Sequence, residues 1–184
     1  SICSNSVFSY SPTSLTAGTT FNWSRFPVAG ISNGPGFGSN NPNETLINTT
    51  INQVNATYVY VLQANGCSNS QNVTVGVKAN PTVNALADEE YCNGATSPVV
   101  ALSGPVAGTT FTWSNNNTAI GLPANGSGNI PSFLATNSSN VPIFATITVT
   151  PSANGCTGTP SSFIITINPT ASVNIPANSV ICNG

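Results

Sequence analysis

The sequence predicts an all-β protein built from tandem β-sandwich domains of about 90 residues, and three observations carry that prediction. The first is repetition. Ala17-Gly18-Thr19-Thr20-Phe21-Asn22-Trp23-Ser24 returns ninety positions later as Ala107-Gly108-Thr109-Thr110-Phe111-Thr112-Trp113-Ser114. Asn65-Gly66-Cys67 returns as Asn154-Gly155-Cys156 and Asn80-Pro81-Thr82 as Asn168-Pro169-Thr170, which sets the period at 88 to 90 residues. The second is alternation of apolar and polar residues over short runs, the pattern of half-buried strands. The third is the high Gly, Pro and β-branched content, with no stretch longer than about ten residues showing helical periodicity.

The repeats divide the chain into residues 1–80, whose opening strand is missing, residues 81–168, and residues 169–184 as the opening strand of a third copy. That last segment ends in Ile181-Cys182-Asn183-Gly184, a match to Tyr91-Cys92-Asn93-Gly94. Two periods cut inside a repeat at both ends are expected of a window on a longer array.

Within each repeat the elements follow in order. Val7 to Tyr10 and Val99 to Leu102 read as one strand, and Thr20 to Ser24 and Thr110 to Ser114 as the next, with Phe21 and Trp23, or Phe111 and Trp113, on one face as core. The strongest alternation is Ile143, Ala145, Ile147 and Val149, matched in the first copy by Ala56, Tyr58 and Tyr60. A turn at Asn65-Gly66 or Asn154-Gly155 follows, where both residues tolerate positive φ. The partner run carries Val73, Val75 and Val77, or Phe163, Ile165 and Ile167. Six or seven short strands with a Trp on the third describe an immunoglobulin-like (Ig-like) sandwich. Pro after Asn80 and Asn168 forces an extended connection, so successive domains are expected end to end with little slack.

The five cysteines are Cys3, Cys67, Cys92, Cys156 and Cys182. Cys3 to Cys67 and Cys92 to Cys156 are both 64 apart, and one bridge per repeat is the simplest reading, leaving Cys182 unpaired. Pairing of Cys67 with Cys92, 25 apart, or of Cys3 with Cys156 of the next repeat also respects the periodicity. Any of these places the chain outside a reducing cytoplasm.

Only Arg25, Lys78, Glu44, Asp88, Glu89 and Glu90 are charged, and there is no His or Met. A Ser-His-Asp or Cys-His arrangement is therefore excluded, no phosphate-cradling GxxxxGK is present, and Glu44 stands alone in sequence. Asp88-Glu89-Glu90 reads as a solvated acidic turn rather than a calcium site, because the next copy has Asn178-Ser179-Val180 there. No metal, cofactor or catalytic residue is expected. Two cations cannot build a phosphate-binding surface, so nucleic acid is not an expected partner. No run of 18 apolar residues offers a membrane span.

The succession of Ile/Tyr-Cys-x-Gly, Thr-Thr-Phe-x-Trp-Ser, and a terminal hairpin with Asn-Gly-Cys closing in Asn-Pro resembles the PKD-like and Ig-like repeats of Bacteroidetes surface proteins. Those repeats occur in large adhesins, including gliding-motility adhesins exported by type IX secretion, and as spacers in secreted enzymes. The resemblance implies an extracellular structural segment of a cell-surface adhesin, stalk or fibre, with neighbouring repeats as partners and no enzymatic activity. Two alternatives stand beside it. One is an accessory module binding glycans or other surfaces, with Phe26, Phe37, Tyr91 and Phe133 as candidate aromatics and the divergent segments 25–47 and 115–140 as the place expected to carry a ligand surface. The other is a fibre subunit in which 169–184 adds as a strand to another copy. The eight Asn-x-Ser/Thr sequons, which include Asn48 and Asn137, read as products of an Asn- and Thr-rich composition.

Overall fold

The structure is a computed structural model that describes residues 1–171. Cys182, with all but the first three residues of the expected strand 169–184, lies outside the described residues.

The first repeat holds seven strands: β1 (Ile2–Cys3), β2 (Ser6–Phe8), β3 (Thr20–Arg25), β4 (Gly36–Ser39), β5 (Glu44–Leu46), β6 (Val54–Ala64) and β7 (Cys67–Lys78). The second holds β8 (Glu89–Cys92), β9 (Thr110–Asn115), β10 (Asn125–Ser127), β11 (Ile143–Ala153), β12 (Cys156–Thr157) and β13 (Ser161–Asn168), with one 3-10 turn at Thr118–Ile120. One sheet has the order β1-β7-β6-β3-β4 and the other β8-β13-β11-β9-β10, so corresponding strands take corresponding places. The fold is all-β, as the alternation predicts.

Each sheet is organised by its long hairpin. β6 and β7 pair antiparallel over their whole length, from Val54 opposite Val77 to Ala64 opposite Cys67. Asn65 and Gly66 turn the chain with φ of 51° and 80°, and Asn154 and Gly155 do the same with 54° and 78°. Alternate residues of β6 and β7 point inward, burying Ala56, Tyr58, Tyr60, Val75 and Val77. Against them lies a second layer, in which β2 pairs antiparallel with β5 and contributes Phe8 and Leu46.

Trp23, Phe111 and Trp113 are core residues, whereas Phe21 is only partly buried at the edge of its cluster. The indole of Trp23 lies under β4, where a Cβ on Gly38 would stand 3.0 Å from the ring. Trp113 is similarly covered by Gly126, at a separation no side chain could share. The glycines on this edge strand thus let a large ring reach the backbone.

Two strand assignments differ from the sequence reading. Val99 to Leu102 forms no strand and carries one isolated bridge, Val100 to Ile130. The true counterpart of β2 lies three residues earlier, where Thr96 bridges Leu134 as Val7 pairs with Thr45. Asp88-Glu89-Glu90 is not a turn: Glu89 opens β8, which pairs parallel with β13. The opening strand expected to be missing from the first repeat is present as β1, with Cys3 opposite Lys78 as Cys92 is opposite Asn168. The structural counterpart of Lys78 is therefore Asn168, and the two Asn-Pro-Thr motifs sit two residues out of register.

The chain divides into two compact units that do not follow the repeat boundary at residue 80. Unit 1 comprises Ser1–Ala85, Leu102–Thr112 and Val149–Ser161; unit 2 comprises Leu86–Ala101, Trp113–Thr148 and the described residues from Ser162 onward.

Candidate functional site

Inside unit 1, the base of the first repeat meets the tip of the hairpin formed by β11 and β12. Cys3 is bonded to Cys156, with Cα atoms 5.7 Å apart and 153 residues between them in sequence. Lys78 donates from Nζ to the Asn154 carbonyl at 2.7 Å, and Ala79, Val106 and Ala153 bury one another. Gly158 approaches the Pro81 carbonyl, and Gly104 the Thr82 carbonyl, so closely that a Cβ on either would collide. Asn84 closes the contact through its N–H to the Ser103 carbonyl and its Nδ2 to Ser103 Oγ, both at 2.9 Å.

This bond replaces the expected pairs Cys3–Cys67 and Cys92–Cys156, and the reason is geometric. Cys3 pairs in register with Lys78, at the far end of β7 from Cys67. Eleven residues of strand separate the two ends, about 36 Å at ~3.3 Å per residue, whereas a disulfide needs Cα atoms within about 7 Å. Cys92 is opposite Asn168, and Cys156 lies at the other end of that hairpin. The two cysteines of one repeat thus occupy opposite poles of its sandwich. Cys67 and Cys92 are free and exposed.

The second concentration of chemistry is a buried ion pair that sequence reading missed, because Arg25 and Glu44 sit 19 residues apart with no motif linking them. Arg25 is buried on β3 and donates from Nε to Glu44 Oε2 at 2.9 Å and from Nη2 to Oε1 at 3.0 Å. Nη2 also donates to the Gly34 carbonyl at 2.8 Å, while Nη1 is buried without a hydrogen-bond partner. Tyr58 donates to Glu44 Oε2 at 2.6 Å and places its ring 5.9 Å from the guanidinium carbon.

Burial alone would raise the Glu44 carboxyl, but hydrogen bonds from Arg25 and Tyr58 and the guanidinium charge hold it below its ordinary value. Its contribution to stability is therefore full above about pH 4.3, the unfolded value, and is lost as pH falls through the lower folded one. Tyr58 moves the other way, raised by burial first and then by its bond to Glu44. Its contribution is present below about pH 10 and is lost as pH rises through the folded value. Denaturant unfolding followed across this range is expected to lose stability at both ends, and Glu44→Gln to abolish the acid limb.

Two of the sequons have a structural role. Asn48 and Asn137 are buried, and each donates from Nδ2 to a strand carbonyl, Val77 or Ile167, at 2.8 Å. Each accepts at Oδ1 from the residue two places on, Thr50 or Ser139, through both its backbone N–H and its hydroxyl. The recurrence of Asn-x-Thr/Ser at the same repeat position was the signal for this plug, which satisfies strand-end carbonyls that water would otherwise have to reach.

Of the candidate binding aromatics, Phe26 and Phe37 are 71% and 84% exposed. Tyr91 is half-buried and packs edge-on against Phe133, which is core. The carboxylates of 88–90 are dispersed: Asp88 accepts from the Ile164 N–H, Glu89 from Tyr91, and Glu90 from Asn168. Among the described residues no three His, Cys, Asp or Glu side chains gather as a metal site, and no helix is long and apolar enough to cross a membrane.

The chain is similar to several solved structures. One is that of the four N-terminal Ig domains of Dscam1 isoform 1.9, at 10% identity and a TM-score of 0.29, covering 92% of this chain and 42% of that one. Another is a chimeric titin Z1Z2 carrying a decorin peptide, at 10% identity and 0.29, covering 93% and 92%. A third is domains 4 and 5 of the S-layer protein SbsC, at 12% identity and 0.29, covering 89% and 80%. No curated protein matches. Residues 89–171 match the model of the PKD-like domain family.

Proposed function

We propose that the chain is a tension-resisting structural segment of an extracellular array of PKD-like repeats, part of an adhesin, stalk or fibre on a bacterial surface. The observation that supports this reading is the span of the Cys3–Cys156 bond. A pull on the two ends of the chain runs through residues 1–3, crosses the bond, and leaves through 156–184. Residues 4–155 are short-circuited, so unfolding them releases no length. The scarcity of titratable groups fits the same role and leaves no assignable nucleophile or acid-base pair, and the disulfide fits an extracellular site. The exposed Phe26 and Phe37 favour a second reading, an accessory module that binds glycans.

Single-molecule stretching of the chain by its termini tests the leading reading. With the bond intact, only the 32 residues of 1–3 and 156–184 extend, about 110 Å at ~3.4 Å per residue. After reduction all 184 extend, about 630 Å. An oxidised chain that releases the full length, or the intermediate length of one loop per repeat, would refute it.

A further inference from the structure

We propose that Cys67 and Cys92 are the two open halves of the same inter-repeat disulfide that Cys3 and Cys156 complete, so that each repeat of this kind is bonded through its base cysteine to the tip cysteine of the repeat that follows. Cys67 is the repeat counterpart of Cys156, and Cys92 of Cys3, each at an offset of 89 residues. The bonded pair joins the base of one repeat to the tip of the next. By the same relation Cys67 takes the base cysteine of a preceding repeat, and Cys92 the tip cysteine of a following one.

Burial supplies the independent observation. At the tip of the second repeat Pro151, Ala153, Cys156 and Gly158 are buried, held by the junction around Lys78 to Thr82. Their counterparts on the first repeat, Leu62, Ala64, Cys67 and Asn69, are half-buried or exposed. A recess of about 370 Å³ lined by Gly18, Gln63, Asn65 and Cys67 lies there. At the base of the first repeat Ala79 and Pro81 are buried, whereas their register counterparts Pro169 and Ala171 are half-buried and exposed. The same two surfaces are thus covered where they meet at the junction and more open in their counterparts outside it.

Closure joins two thiols into one disulfide and releases two protons and two electrons. A small disulfide such as oxidised glutathione takes them up and leaves as two thiols. The proposal rests on reading the chain as an array segment, but its test is separate from the stretching experiment, which depends only on Cys3–Cys156.

Second copies of the full chain serve as the partner repeat. In a Cys182→Ser background, Cys67→Ser and Cys92→Ser chains are incubated alone and mixed in a glutathione redox buffer, at roughly millimolar protein to match the effective concentration of a short tether. The mixture is expected to shift from monomer to a dimer that yields a Cys92–Cys67 peptide, while each variant alone stays monomeric. Homodimers forming as readily as the mixed dimer, or a monomeric mixture in a buffer where mapping recovers Cys3–Cys156, would overturn the proposal.

Discussion

Replacing Cys3 and Cys156 by serine is expected to lower the unfolding free energy by about 5 kcal/mol in the chain-entropy model. The figure comes from the loop: a bond closing 153 residues removes more unfolded-state freedom than the 64-residue bridge expected from sequence, which would contribute about 4 kcal/mol. The dependence on loop length is logarithmic, so the two schemes differ little in stability and greatly in mechanics. Cys156 is buried and its partner half-buried, so reduction is expected to proceed mainly through opening of the junction that Ala79, Val106 and Ala153 close. Peptide mapping under non-reducing conditions should recover Cys3 joined to Cys156. A Cys3–Cys67 peptide, or a destabilisation below about 1 kcal/mol, would remove the bond from the account of stability.

How far the sequence discloses this molecule depends on the range of the signal. The hairpins were legible because strand alternation and Asn-Gly turns are local, and the core tryptophans because Phe-x-Trp repeats on one face of a strand. The disulfide was not. Equal 64-residue spacings are compatible with every repeat-respecting scheme, and only the parallel pairing of β1 with β7 reveals that each repeat's cysteines lie at opposite poles. The ion pair was hidden for a related reason: Glu44 looks isolated until β5 and β3 place its carboxylate on Arg25. The alignment of β2 was three residues off because Ser6–Phe8 is only three residues long, too short for alternation to fix its register.

Glu44→Gln is expected to destabilise the protein by about 3 to 5 kcal/mol, the cost of leaving a buried guanidinium without its carboxylate. Arg25 has no second acid to turn to: its remaining hydrogen bond is to the Gly34 carbonyl, and its Nη1 is already without a partner. The second repeat shows how the same site is filled without charge. In register, Glu44 corresponds to Phe133, as the equivalent bridges Val7–Thr45 and Thr96–Leu134 require, while the match of Trp23 to Trp113 sets Arg25 against Asn115 and that of β6 to β11 sets Tyr58 against Ile147. Asn115 donates to the Leu122 and Pro123 carbonyls, and Phe133 packs on Tyr91. Removing one partner of a buried pair strands a charge, whereas replacing the set removes the desolvation cost along with the attraction. The triple variant Arg25→Asn, Glu44→Phe, Tyr58→Ile is therefore expected to match or exceed the parent in stability, although it carries the site of the damaging single change. Chemical denaturation of the parent, the single and the triple variant distinguishes the cases. A triple variant as unstable as Glu44→Gln would show that the ion pair contributes specific packing that the second repeat's residues do not reproduce in the first.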